Sequence, residues 1–388
     1  MTASRYKTQK STKIQGRKGI FVKFIKEYDR GSVSLFTKIS FAIFAVSLVL
    51  LYLCRRFTEL ADIMNETVAF GLRRVMAAFG DLFPFSLFEV LVFLSPVILV
   101  FVIILAVRVF RRGEGRLRFV LNFVSAVLLV YSLSILMMSL SYNTTTVDRE
   151  IGFEVVEVNE ENLAASMEAL RDEVNSLVDY VPLSSEGITD PGYSMDEISE
   201  SICKSYSEIS REYGFVPDFN SRAKGLGPWS YGMSYLGIGG IYTFFTGESN
   251  VNMLYPAYDV VFTAAHELSH QRGILRENEA NFMAYFVCSR SDDLYLRYSA
   301  ALNMYQYIAS ALYRTNKDRY NEIASELDKR AVADIYYSSE VSRKYGDTFL
   351  EDISEFFNDL FLKSNGTDGV VTYGRVVTLA VSYLEGQK

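Results

Sequence analysis

Histidine is almost missing from this chain: two residues in 388. Cysteine is nearly as scarce, with Cys54, Cys203 and Cys288 alone, and there is one tryptophan. A metal site built from three imidazoles is therefore excluded, and so is a four-cysteine structural zinc site. Cys203 and Cys288 could pair, but their spacing supplies no disulfide framework, and small buried thiols are the expectation for all three. Net positive charge is missing from the back of the chain. Residues 1–118 hold 19 basic and 8 acidic side chains, while the remainder holds 20 basic and 38 acidic, for a net charge of −7. A basic front and an acidic back suggest two compartments, and the acidic back half argues against nucleic acid as a partner. Internal repeats and low-complexity tracts are also absent.

Long apolar runs are present. Three of them precede residue 141 and raise the hydrophobic fraction to 49%. Ser34–Cys54, Leu87–Phe110 and Phe119–Leu140 are each long enough to cross a bilayer, and Pro96 is tolerable inside a membrane helix. Basic residues flank them on one side: a tail over residues 1–33 and an Arg-rich hinge over 111–118. The positive-inside rule puts both in the cytosol. Segment 55–86 then becomes an outer loop, although Arg55, Arg56, Arg73 and Arg74 run mildly against that. The expected architecture is a multi-pass α-helical membrane anchor of three spans over 34–140. An extracytoplasmic domain of α+β, mostly helical, character follows over 141–388.

Both histidines fall in one stretch, His266-Glu267-Leu268-Ser269-His270, preceded by the apolar run Val260, Val261, Phe262, Ala264 and Ala265. That run predicts a buried helix. Positions i and i+4 share a helix face, so both imidazoles can address one ion, and Glu267 is placed to polarise a water. The pattern is the H-E-x-x-H of zinc peptidases.

A catalytic zinc takes three protein ligands and leaves one position open. With no third histidine, the third ligand must be an acid or a cysteine. Gly273 is a natural helix C-cap and lets the chain reverse, bringing Glu277 or Glu279 back on a second helix that starts near Arg276. The metzincin pattern fits as far as Gly273 and fails at Arg276. The run Glu277 to Asn281, Glu-x-x-Ala-Asn, resembles the third-ligand element of gluzincins. There the glutamate binds metal, and the Asn four residues on hydrogen-bonds a ligand histidine. Glu277 is favoured on this i,i+4 relation to Asn281, with Glu279 as its competitor.

In the rest of the domain, helical periodicity marks 159–181, 194–213, 292–313, 316–336 and 349–362, with a closing helix from about Tyr373. Ser194 and Asp196 are cap candidates. The Gly-rich, aromatic stretch 225–252 reads as a short antiparallel strand pair, with Ile241–Thr246 a candidate edge strand for pairing with a substrate backbone.

Three N-terminal spans, Gly240–Asn252, His266–Phe282 and Arg297-Tyr298-Ser299 together resemble the bacterial membrane family called domain of unknown function 3810. The resemblance implies a zincin-like membrane metalloprotein in a bacterial plasma membrane, multi-pass, with its N-terminus cytosolic. The expected activity is peptide hydrolysis, with Zn2+ on His266, His270 and Glu277 and with Glu267 as general base. Tyr298 is the expected oxyanion donor, with Arg297 and Tyr373 behind it. The partners are a peptide or protein substrate and the lipid bilayer. Two other readings stand beside this one: a non-proteolytic sensor or scaffold, against which an intact Glu267 argues, and an amidase acting on cell-wall peptide.

Overall fold

The structure, a computed structural model, describes residues 33–113, 115–367 and 375–387. The expected basic tail up to residue 32 and Tyr373 lie outside the described residues. The chain divides into two compact units: residues up to Val49 with Val92–Leu133, and Leu50–Leu91 with Ser134 onwards.

The first unit consists of parts of three long helices, Leu35–Cys54, Leu87–Arg112 and Arg116–Met137, which are long and apolar enough to cross a membrane. Leu87–Arg112 buries no residue along its length. Ser40, Ser47, Ser125 and Ser132 are buried, and each hydroxyl donates to a carbonyl of its own helix. Small polar residues satisfied in this way let apolar helices approach closely. Ser34 donates to Asn122 at 2.9 Å, and Phe44 packs on Tyr131.

The second unit is mostly helical with one three-stranded sheet. Its core is formed by Glu160–Leu177, Met195–Tyr213, Ala257–Gln271, Glu277–Ser289, Leu294–Thr315 and Val376–Gly386, which share one buried apolar cluster. Caps match the sequence. Asn159 and Ser194 form capping boxes with Asn162 and Glu197, which sets Ser194 rather than Asp196 as the cap. The helix expected over 316–336 is two, Lys317–Ala324 and Lys329–Tyr345, because Asp328 caps a new start.

Strands β1 (Ala223–Gly225), β2 (Gly240–Thr243) and β3 (Glu248–Val251) are ordered β1-β3-β2, with β1 parallel and β2 antiparallel to β3. The expected strand pair is present and β2 is an edge, but it ends at Thr243, and residues 244–247, which include the rest of the expected Ile241–Thr246 strand, form the turn into β3. A short helix, Trp229–Tyr235, interrupts the rest of the stretch.

Segment 55–86, expected as an outer loop, is largely helical and belongs to the compact unit that also holds Ser134 onwards. The segment folds as Thr58–Met64, a π-helical turn Asn65–Ala69 and Phe70–Gly80, inside the same unit as the later chain. The reason lies in Arg73, which is fully buried. Its guanidinium donates to Asn65 Oδ1 at 2.7 Å, to the Met137 carbonyl at 3.0 Å and to Ser141 at 3.3 Å. Asp62 accepts from the backbone and hydroxyl of Thr145, both at 2.8 Å. The arginines that ran against an outer placement thus include one that is a core residue.

Candidate metal centre

The motif helix, Ala257–Gln271, is buried along most of its length and is held from three sides. Ser249 on β3 donates to the Glu267 carbonyl at 2.9 Å. Tyr206 meets Ser269, hydroxyl to hydroxyl, at 2.5 Å. Arg272, just past the helix, is sandwiched between the rings of Tyr206 and Phe219 at 4.2 and 4.7 Å.

The helix ends in a Schellman turn: Ile274 N donates to the Ser269 carbonyl and Gly273 N to that of His270. Gly273 sits at φ +97, and a side chain there would run into Arg73 and Asn65. The turn also serves the site, because the Ile274 carbonyl lies 2.8 Å from His270 Nδ1. A carbonyl can only accept, so Nδ1 carries a proton, and Nε2 is the ring nitrogen turned toward the cavity and Glu277.

The chain then reverses into Glu277–Ser289. Oε2 of Glu277 comes within 3.2 Å of His266 Nε2 and 3.5 Å of His270 Nε2. One ligand atom from each of the three lies within 4.8 Å of the others. Burial disfavours the charge on His270, but Glu277 and then Glu267 outweigh it and push the imidazole up to about 9. Burial likewise opposes charge on Glu277, while the two imidazoles hold it well below the usual carboxylate range. Glu267 is raised by burial, which exceeds the opposing pull of His266 and His270. His266 Nδ1 and Glu267 Oε2 are buried without a protein partner.

A cavity of about 750 Å3 opens on these groups, lined by His266, Glu267, His270, Glu277, Asn281, Asn303, Tyr307 and all of β2. Its floor tolerates no side chain at Gly240, whose Cβ would lie 2.5 Å from Glu267 Oε1 and 2.5 Å from Thr263 Cγ2. The backbone N–H of Tyr242 favours the charged Glu267 carboxylate, against the larger effect of burial.

The other sequence candidates are placed differently. Glu279 is held by Arg276 at 2.8 Å and does not line the cavity. Asn281 does line it, but the partner of His270 Nδ1 is the Ile274 carbonyl. Tyr298 does not reach the cavity: it is fully buried and donates to Asp334 at 2.7 Å, in a network with Thr189. Arg297 faces Glu173. Tyr307 was missed because nothing in the sequence separates it from 25 other tyrosines. Its only mark is the i,i+4 relation to Asn303, which places both on one face of Leu294–Thr315.

The three cysteines are free and buried. The motif Gly247-Glu248…Asn250-Val251-Asn252 is structural. Glu248 accepts from the backbone N–H groups of Leu87 and Phe88, both at 2.9 Å, and so caps the helix Leu87–Arg112.

The family model described as a protein of unknown function, DUF3810, matches residues 64–381, and the chain belongs to that family. No curated protein and no solved structure matches it.

Proposed function

We propose that this chain is a membrane-anchored zinc metallopeptidase of zincin-like fold, with the three apolar helices spanning the bacterial plasma membrane and the later domain outside it. One observation carries the reading. His266 Nε2, His270 Nε2 and Glu277 Oε2 converge on the wall of a cavity that also holds the buried carboxylate of Glu267. Two imidazoles and a carboxylate are a donor set that suits zinc, and three ligands beside a cavity leave a position open.

A zinc ion held there would supply Lewis acidity and bring the pKa of a water toward 7. Glu267 is the base. Burial raises its pKa, so it takes a proton from the attacking water and can return it to the leaving amine. The outer edge of β2 offers backbone N–H and C=O groups to an extended peptide, which fixes the scissile carbonyl relative to Glu267. Tyr307, pushed up to about 12 by burial and by Glu277, keeps its proton and can donate a hydrogen bond to the carbonyl oxygen as charge develops.

The test is to express the full chain and its Glu267→Gln variant in bacterial cells and map new protein N-termini in the membrane fraction. New termini with the wild type that vanish with Glu267→Gln support the reading. Identical termini from both would remove the peptidase and leave a sensor or scaffold.

A further inference from the structure

Helix Phe349–Ser364 is inside out for a surface helix. Its polar side, with Glu351, Ser354, Glu355 and Asn358, lines the metal-site cavity. The opposite side presents Phe349, Leu350, Phe356, Phe357 and Leu360, between 49% and 75% exposed. These positions fall on one stripe at the helical period, and an amphipathic helix ordinarily turns that stripe toward its own core. Five large apolar side chains left together on one face call for a cover.

The ends of the apolar helices indicate which cover. Arg55, the residue after Leu35–Cys54, donates to the Ser364 carbonyl at 2.5 Å. Tyr142, five residues beyond Arg116–Met137, stacks edge-on against Phe361 at 6.2 Å and shares a small buried cluster with Leu362. The C-terminal turn of the helix is thus pinned to points where the chain leaves two apolar helices. At that same end, Arg55, Lys363 and Arg375 line a second cavity of about 570 Å3. Cations at that level complement phosphate headgroups.

We propose that Phe349–Ser364 lies in the plane of the membrane, its Phe/Leu stripe sunk into the leaflet on the domain's side while its polar face walls the metal-site cavity. The proposal rests on the reading that the three apolar helices span the bilayer. Its consequence is that the cavity opens at the membrane surface, so the peptide it takes is one that emerges directly from the bilayer.

The experiment uses the full chain in vesicles of phosphatidylcholine and phosphatidylglycerol. A fluorophore is attached at Phe357→Cys and, as water-exposed controls, at Tyr180→Cys and Tyr336→Cys, with the buried native thiols of the parent chain as background. Lipids brominated in the acyl chain then act as quencher. Quenching at position 357 several-fold above both controls is expected. Quenching at 357 no greater than at the controls, in a chain that resists alkaline extraction, overturns the in-plane helix and leaves the spans standing. Efficient 357-to-357 cross-linking between chains, without quenching, overturns it in favour of a second copy. Release of the chain by alkaline extraction removes the spanning reading itself, and this proposal with it.

Discussion

Glu277 sits between two imidazoles, and its charge is the main force holding the proton on His270. In the metal-free chain His270 is held protonated up to about 9. Zinc binds only the neutral ring, so metal uptake at pH 7 releases this proton, and apparent affinity climbs toward pH 9. Calorimetry of zinc binding in buffers of different ionisation enthalpy measures that release; a heat independent of buffer would contradict it. The same pair sets the pH dependence of the metal-free fold. His270, raised from 6.5 to about 9, contributes stability that is complete below 6.5 and lost as pH rises through about 9. Glu277, lowered from 4.5, contributes stability present above 4.5 and lost as pH falls. Chelator-treated protein should therefore melt highest between these limits, and a melting temperature still rising from pH 6.5 to 9 would count against the pair. Glu267→Gln should keep metal while losing turnover by roughly 10²–10⁴, as removal of a general base does.

At the scale of elements, β2 and the motif helix are fitted together at Gly240. Gly240→Ala places a methyl 2.5 Å from Glu267 Oε1. It should reduce turnover at least tenfold while metal content stays at the wild-type level; unchanged turnover would show that β2 does not frame the base. The helix Phe70–Gly80 is fastened by Arg73. Arg73→Leu takes the donor from the Met137 carbonyl and one of two donors from Asn65 Oδ1, which keeps the Ser141 hydroxyl, at about 1–3 kcal/mol for a group left dry. A melting temperature lower by roughly 5–10 °C is expected for a chain of this size.

These two cases show what the sequence could reveal. The motif helix, its Gly273 stop, the return of Glu277 and the edge strand were legible, because apolar runs, a cap glycine and an i,i+4 spacing act locally. Arg73 was not, because a charged residue flanked by mixed sequence reads as surface, and only the tertiary fold reveals the carbonyls waiting for it. Tyr307 in the cavity and Tyr298 beside Asp334 lie nine residues apart on one helix, and local pattern alone does not say which faces the site.

For the whole molecule, the contribution of residues 50–91 to the later domain changes how it can be handled. A fragment of residues 141–388 lacks Arg73, Asp62 and the helices that carry them, and it should aggregate or lose its cooperative melt in circular dichroism. A well-folded fragment would show that those contacts are dispensable. If the site opens at the bilayer surface, cuts mapped in cells should cluster beside the membrane spans of substrate proteins rather than across their soluble domains. Everything proposed for the site depends on the metal. It is read by elemental analysis of the purified full chain, alongside Glu277→Ala and Glu279→Ala. About one zinc per chain is expected, retained in Glu279→Ala and lost in Glu277→Ala. A wild-type chain that holds no zinc even when supplied with it, or that loses it only in Glu279→Ala, would rule out the His266, His270 and Glu277 site.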